Sequence, residues 1–323
     1  MKNIVVFSFF VCTGFQALLW AETAKGPYAL SLSPQFGVLL GKGEEQVYKG
    51  EDSDELLSEL LWDIKPLMYV GTKLEFARRD PTAGFGFFSS LSVKYGLPLE
   101  SGNMEDRDWI WPGGRLTNYS HHDNATAGAL LADLMLGPSL PLGSSFAARL
   151  SLGLSYAHFG WTARDGYLRY GKSVGGDYKY KPLEDSDPRV PVSGTVVSYA
   201  QDWVFMPMGL SLLLWPNRLF SGSLWFYAGP VFKFLGRDTH PVTSTQYRDE
   251  MSSGYSLDRG GEFRFSPLER LSLRLSCSWR SAAADPHGRT SSRQAGQDWQ
   301  FRGNIAGGRF QTVDLGIGLE VRF

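Results

Sequence analysis

Two short stretches of the sequence each carry a pair of ionisable side chains two residues apart. Asp106 and Asp108 lie in GNMEDRDW, and Asp238 and His240 lie in FLGRDTHPV. Residues two apart in an extended chain point to the same face, so each pair would present its side chains together. An aspartate can fix the tautomer of a neighbouring imidazole, which can then take a proton from water. These residue types favour hydrolysis by an activated water, without a covalent nucleophile.

Either pair alone is more often part of a solvated loop, because charged residues are common on exposed loops. The functional interpretation therefore depends on the elements that carry the two pairs. Both pairs must reach the same opening of one fold before the imidazole of His240 can act together with Asp106 and Asp108.

Alternating segments predict these elements. Apolar residues alternate with polar or small ones in five segments, at 150–156, 206–214, 224–234, 271–279 and 313–323. Period two is the pattern of a β-strand with two different faces, in a water-soluble sandwich as well as in a barrel. The last segment runs to the C-terminal Phe323, and an aromatic end is typical of outer-membrane barrels.

Three features together favour the membrane barrel over the water-soluble sandwich: an export signal, the lack of a mature stretch as long as a spanning helix, and the aromatic C-terminal residue. Residues 1–21 resemble a secretory signal peptide, with Lys2, an apolar run and the small residue Ala21. A transmembrane helix is the alternative, but the run is short and interrupted. Lipid leaves a closed barrel as the only way for strands to cross a membrane. We therefore predict that residues 22–323 form an outer-membrane barrel whose site faces the exterior.

Segment lengths assign the two ends of this barrel. Four short segments are predicted to be periplasmic turns, at 78–84, 141–145, 215–222 and 266–270. Five longer polar segments are predicted to be extracellular loops, at roughly 43–56, 100–124, 166–196, 237–252 and 284–308. Four turns and five loops join ten strands, an even number as such barrels require. The predicted fold is therefore all-β, a ten-stranded antiparallel transmembrane β-barrel.

One predicted strand conflicts with its own composition. Residues 54–65 carry four aliphatic residues at helical spacing, namely Leu57, Leu60, Leu61 and Ile64. We interpret the segment as the second strand, because the count of elements requires one there. A short amphipathic helix within the first loop is the alternative.

Charge, cysteines and known motifs argue against several functions. The formal net charge is -1, so no basic field indicates nucleic-acid binding. Cys277 is the one cysteine of the predicted mature chain, so no internal disulfide is expected. The stretch GYLRYGKS, residues 166–173, matches a phosphate-binding loop, but no helix pattern follows it. No metal-binding motif occurs, and we expect neither a metal nor a cofactor.

The two pairs and their flanking residues resemble the omptin family of outer-membrane endoproteases. The family's catalytic pairs lie in a G-N-M-x-D-x-D-W stretch and in D-x-H. These motifs correspond to Asp106 with Asp108 and to Asp238 with His240. Four other segments resemble the family in the same order, namely GKGEEQVY, SELLW, HHD and WTARDGYLRY. The resemblance covers residues 28–323.

The resemblance implies an aspartyl-type endopeptidase that cleaves polypeptides between or after basic residues. His240 would accept the proton of the water, and Asp238 would orient the imidazole. The Asp106–Asp108 pair would hold the water and share a proton. Glu45 matches an acidic residue of the family and would receive the basic side chain before the scissile bond. The implied partners are polypeptide substrates at the cell surface and outer-membrane lipid, and we expect a monomer.

Two positions depart from the family pattern. The family's second acidic specificity residue corresponds to Gly236, which lacks a carboxylate and leaves room, so we expect a narrower preference for basic residues. The family binds lipopolysaccharide through a Y-x-E-x-R pattern on its outer wall, where this sequence has Leu154, Tyr156 and His158. Dependence on that lipid therefore stays open.

Two other functions compete with proteolysis. A surface adhesin is the alternative, but such a protein has no need for Asp238 beside His240. A pore is disfavoured, because a barrel of ten strands leaves an interior that side chains largely fill.

Overall fold

A computed structural model describes residues 26–171 and 180–323 of the chain. The predicted signal peptide, residues 1–21, lies outside the described residues, and so do Lys172 and Ser173 of the phosphate-loop match. Within the two described ranges the regular structure is entirely β-strand. No helix in these ranges is long and apolar enough to cross a membrane.

Fifteen strand segments form one antiparallel sheet in the described part of the chain. In chain order they are β1 (Tyr28–Tyr48), β2 (Leu56–Arg78), β3 (Gly86–Gly96), β4 (Leu99–Asp108), β5 (Asn118–Pro141), β6 (Phe146–Tyr170), β7 (Val190–Pro191), β8 (Thr195–Phe205), β9 (Met208–Leu214), β10 (Phe220–His240), β11 (Thr245–Met251), β12 (Gly254–Leu268), β13 (Leu271–Ala284), β14 (Gly288–Gln294) and β15 (Gln300–Arg322).

These segments combine into ten barrel strands. Four barrel strands consist of two segments each, because β3 with β4, β8 with β9, β11 with β12 and β13 with β14 occupy the same place in the sheet. The short β7 pairs only with β6, at the edge of a loop. The ring closes where β1 pairs with β15, with Leu39 opposite Asp314 and Glu45 opposite Gly308. The predicted ten-stranded antiparallel barrel is confirmed.

The two ends of the barrel differ in the length of their connections, as predicted. Short connections, at 79–85, 142–145, 215–219 and 269–270, lie at what we call the short-turn end. At the opposite, long-loop end the strands extend far into the predicted loops, and β4 pairs with β5 there, with Asp106 opposite Ser120. The predicted loops are longer than the loops of the structure. The strands continue beyond the lipid, where their outer face need not be apolar, so the alternating pattern that predicts a strand is lost there.

Residues 56–65 of the segment 54–65 are strand, and the helical alternative is wrong. β2 begins at Leu56 and pairs with β1 and with β4. Leu60, Trp62 and Ile64 alternate inward and are 6%, 0% and 0% exposed. The partners on both sides supply the backbone hydrogen bonds, so the helical spacing of the leucines is incidental.

Apolar side chains cover the outside of the barrel. In β6, Leu150, Leu152 and Leu154 are about half exposed, whereas Ser151 and Ser155 point inward and are buried. Exposed large apolar residues occur on all ten barrel strands. A continuous apolar surface of this extent is the outer face of a membrane barrel, where lipid replaces water.

The barrel interior has two layers. Toward the short-turn end, charged side chains form ion pairs, among them Arg149 with Glu75 at 2.9 Å and Arg280 with Asp133 at 3.0 Å. Toward the long-loop end, aromatic rings from five barrel strands pack into what we call the aromatic layer, formed by Trp62, Phe159, Trp161, Tyr199, Trp203, Phe234 and Phe310. This layer forms the floor beneath the long-loop end of the interior.

Candidate active site

The two predicted pairs lie at the long-loop end, beyond the aromatic layer. Asp106 and Asp108 are in β4, on the third barrel strand, which pairs with β2 and β5. Asp238 and His240 end β10, the seventh barrel strand, which pairs with β8 and β11. Strand alternation buries Asp238 and leaves its neighbour Arg237 exposed. The pairs therefore stand on different walls of one barrel.

Hydrogen-bond donors flank the aspartate pair. Ser58 Oγ donates to Asp106 Oδ1 at 3.5 Å, and Asn118 Nδ2 donates to Asp108 Oδ2 at 3.0 Å. Burial and the neighbouring charge of Asp108 raise the pKa of Asp106 well above its usual value. Burial also raises the pKa of Asp108. The two carboxyls can therefore share a proton under conditions in which isolated aspartates would both be ionised.

His240 has a carboxylate partner. Its Nε2 donates to Oδ2 of Asp238 at 2.5 Å, and Asp238 is 4% exposed. Burial alone would lower the pKa of His240, but the hydrogen bond to Asp238 and the carboxylate charges of Asp238, Asp106 and Asp108 hold it above its usual value. The contact fixes a proton on Nε2 and leaves Nδ1 as an acceptor. The ring of Tyr247 meets the imidazole edge to face, with 5.6 Å between the ring centroids.

The barrel brings the two pairs to one opening. The charges of His240 and Asp238 act on the carboxyl of Asp106, and those of Asp106 and Asp108 act on the imidazole. Tyr170, at the end of β6, lies beside the same two aspartates, and burial together with their charges raises its pKa to about 12.

Glu45 lies at the same opening. It belongs to β1, is 4% exposed, and its Oε2 has no hydrogen-bond partner within residues 26–171 and 180–323. Burial raises the pKa of Glu45 well above its usual value, and the charges of Asp238, Asp249 and Asp106 add to this effect. The structure thus places the five residues predicted from the sequence in one cluster.

Three residues of this cluster escaped the sequence analysis, namely Ser58, Asn118 and Asp249. Ser58 and Asn118 donate to the aspartates from the neighbouring strands β2 and β5, which no local spacing indicates. Period two in β11 could have indicated that Asp249 and Met251 point inward, since both are buried and Arg248 and Glu250 are not.

Gly236 has less space around it than the sequence suggests. A Cβ at this position would lie 3.2 Å from the ring of Phe234 and 3.3 Å from Oη of Tyr199. Phe234 is fully buried in the aromatic layer. The expectation that Gly236 leaves room is therefore wrong, because an aromatic ring already fills that place.

The outer wall carries a polar cluster near the position where the family pattern binds lipid. Oη of Tyr156 donates to Oδ1 of Asp202 at 2.5 Å, and Nδ1 of His158 lies 2.9 Å from the same oxygen. Arg237 forms an ion pair with the other oxygen of Asp202. The cluster takes its residues from β6, β8 and β10, so a pattern along one strand could not reveal it.

Fold and site together define a class of protein. It is a transmembrane barrel of ten antiparallel strands that holds an Asp-Asp pair, an Asp-His pair and a buried glutamate at one end of its interior. The Omptin family model matches residues 26–323, and the chain belongs to the omptin family.

One solved structure supports the ten-stranded barrel fold. The outer membrane protease OmpT from Escherichia coli shares 19% sequence identity, with 94% of this chain and 99% of that chain covered and a TM-score of 0.79. The Pseudomonas putida toluene transporter TodX covers 91% of this chain and 90% of its own at 11% identity, but its TM-score of 0.32 carries no structural argument. A sequence search of curated proteins finds no match.

Proposed function

We propose that this protein is an outer-membrane endopeptidase that cleaves polypeptides beside basic residues with an activated water. The observation that carries the proposal is the meeting of the Asp106–Asp108 pair and the Asp238–His240 pair at one opening, next to the buried Glu45. Membership of the omptin family and a fold shared with an outer membrane protease support it.

The proposed mechanism assigns one role to each pair. His240 accepts a proton from water at Nδ1, because its Nε2 is engaged by Asp238. Asp238 holds the imidazole and stabilises its charge once it is protonated. The Asp106–Asp108 pair holds the water and keeps a proton between its carboxyls. The deprotonated water attacks the carbonyl carbon, and the imidazolium gives its proton to the leaving amine as the C–N bond breaks, so the peptide bond is hydrolysed without a covalent enzyme intermediate.

Glu45 is the proposed receptor for the basic side chain before the scissile bond. Oε2 of this buried carboxylate has no hydrogen-bond partner in the described part of the chain, and a cation compensates such an oxygen better than a neutral group does. In this proposal the long-loop end faces the cell exterior, and the substrates are polypeptides at the cell surface. We expect the protein to act as a monomer in outer-membrane lipid, with neither a metal nor a cofactor.

A peptide library tests the proposal. Protein refolded in detergent, with and without lipopolysaccharide, is incubated with the library, and the cut sites are read by mass spectrometry. We expect cuts after arginine or lysine, and strongly reduced cutting by a folded His240→Ala variant. A folded wild-type barrel that cuts no peptide under either lipid condition would contradict proteolysis and favour the adhesin alternative.

Intact cells test the orientation of the site. A fluorogenic peptide too large to cross the outer membrane is added to cells that produce the protein. We expect cleavage outside the cells, at a rate that His240→Ala lowers. Cleavage that appears only after the outer membrane is permeabilised would place the opening on the periplasmic side.

A further inference from the structure

The geometry points to Asp249 as a second carboxylate of the pocket that receives the basic side chain. We infer that Asp249 and Glu45 together bind the guanidinium or ammonium group of the residue before the scissile bond. The inference rests on the proposed endopeptidase function and names a specificity-determining residue for it.

The position of Asp249 follows from strand pairing. In β11 it lies directly opposite Gly236 of β10, and on its other side it lies opposite Thr290 of β14. Asp249 is 3% exposed, whereas its neighbours Arg248 and Glu250 form an ion pair with each other on the other face of the strand. The carboxylate of Asp249 therefore enters the barrel at the level of Gly236.

An aromatic ring forms the floor between the two carboxylates. Phe234 packs so closely on β15 that a Cβ at Gly308 would lie 2.5 Å from its ring, and Gly308 is the residue paired with Glu45. The same ring lies against Gly236, the residue paired with Asp249. A single apolar face thus runs from the backbone beside Glu45 to the backbone beside Asp249.

Both carboxylates keep an oxygen without a partner. Neither Oε2 of Glu45 nor Oδ1 of Asp249 has a hydrogen-bond partner among the described residues, although both side chains are more than nine-tenths buried. Buried oxygens of this kind are unfavourable unless a donor reaches them. A guanidinium with its fork of N–H donors can serve two carboxylates at once, and its methylene stem suits an aromatic floor.

The electrostatics agree with a cation at this place. Burial raises the pKa of Asp249 to about 7, and the charge of Asp238 acts in the same direction. Asp249 in turn acts on the carboxyl of Glu45. A bound cation would favour the ionised form of both carboxyls, which burial disfavours.

A second carboxylate from Asp249 changes the effect of Gly236 that is expected on substrate specificity. A carboxylate at position 236 would compete for space with Phe234 and Tyr199. Asp249 supplies the charge from the neighbouring strand instead, so the pocket still has two carboxylates. We therefore expect a strong preference for basic residues rather than the narrower one that the sequence suggests.

Two matched peptides and one matched variant test this inference. The peptides differ only in arginine or citrulline before the cut, because citrulline keeps the shape of arginine and lacks its charge. Asp249→Asn is expected to lower the ratio of kcat/KM for arginine over citrulline at least about 10-fold, the usual scale of a hydrogen bond to a charged group. Glu250→Gln removes the same charge from the outer face of β11 and is expected to leave the ratio unchanged.

Other outcomes would overturn the inference. An unchanged ratio in Asp249→Asn, with a wild type that prefers arginine, would contradict the role of Asp249 and leave the proposed function intact. An equal loss for both peptides would show that Asp249 supports Asp238 and does not bind substrate. A wild type that cleaves neither peptide would contradict the proposed function itself, and the inference with it.

A charge-preserving variant makes the test independent of how Asp249→Asn folds. Asp249→Glu keeps the negative charge and is expected to retain a clear preference for arginine over citrulline. Loss of that preference in an Asp249→Glu barrel that keeps its folded gel mobility would show that charge at this position does not determine specificity.

Discussion

Carboxylates with little exposure occur at two levels of the barrel interior, and the two groups differ in their partners. Toward the short-turn end, Asp133 and Asp258 share Arg280, and Glu75 binds Arg149. At the long-loop end, the five carboxylates of the cluster have no arginine or lysine ion-pair partner within the described residues, and Asp238 has His240 alone. Of these five carboxylates, Glu45, Asp238 and Asp249 are buried, and Asp106 and Asp108 are partly buried.

This difference shows that burial by itself does not mark a functional group. A buried carboxylate that forms an ion pair with a cation contributes to a defined fold. If either partner is removed, the other charge stays buried and unpaired, which is strongly destabilising. Several carboxylates that lie close together without cations are energetically unfavourable in their ionised form. Such unfavourable groups are typical of binding sites and active sites. The two levels of the interior therefore differ in whether the carboxylates have cationic partners, and not in whether carboxylates are present.

The largest expected effect concerns turnover. His240→Ala and Asp106→Ala should each lower kcat by about 10²- to 10⁴-fold, because each removes a positioned group that handles the reacting water. The measurement is cleavage of an arginine peptide by refolded protein, with heat-dependent gel mobility as the check of folding. Glu105→Gln is the matched control, since Glu105 precedes Asp106 but is paired with Arg107. Wild-type turnover in either alanine variant would remove the assigned mechanism.

The next effect concerns stability and tests the comparison directly. Arg280→Met should lower the free energy of unfolding by about 3–5 kcal/mol, because Asp133 and Asp258 would stay in the barrel interior without their ion-pair partner. Glu45→Gln should cause no comparable loss, because Glu45 has no cation to release in the described structure. Urea unfolding in detergent measures both variants. Equal destabilisation of the two would show that the levels do not differ as described.

A smaller effect is expected for specificity. Glu45→Ala should reduce the advantage of arginine over alanine before the cut by about 1–3 kcal/mol, the scale of a hydrogen bond to a charged group. The measurement is kcat/KM on two peptides that differ at this residue alone. If the ratio does not change, the pocket is built from other residues and the role carried over to Glu45 is wrong.

The smallest effect is a shift of the pH profile. The base must be neutral, so kcat/KM should fall as the pH drops through the pKa of His240, which Asp238 and the aspartate pair hold above 6.5. Asp238→Asn removes the hydrogen-bonded charge and should move this acidic limb to lower pH, because burial then dominates. A limb that stays in place or moves to higher pH would mean that another group determines it.

Much of the fold could be predicted because a strand shows its period locally. The alternation in 313–323 and 271–279, together with the short turns, predicted the barrel and its strand count. Beyond the lipid the pattern is harder to recognise, since both faces of β4 and β5 carry polar residues. The loop bounds at 100–124 and the helical spacing in 54–65 were therefore poor guides to structure.

Spacing within a strand determined which side chains share a face, and this is why the sequence alone predicted Asp106 with Asp108 and Asp238 with His240. Only the closed barrel decided which faces meet. Glu45 and Asp249 are about two hundred residues apart, and they share a pocket because β1 and β11 reach the same level at the long-loop end. The space at Gly236 depends likewise on a ring packed between β10 and β15. Contacts across an interior depend on register and closure, which no local pattern specifies.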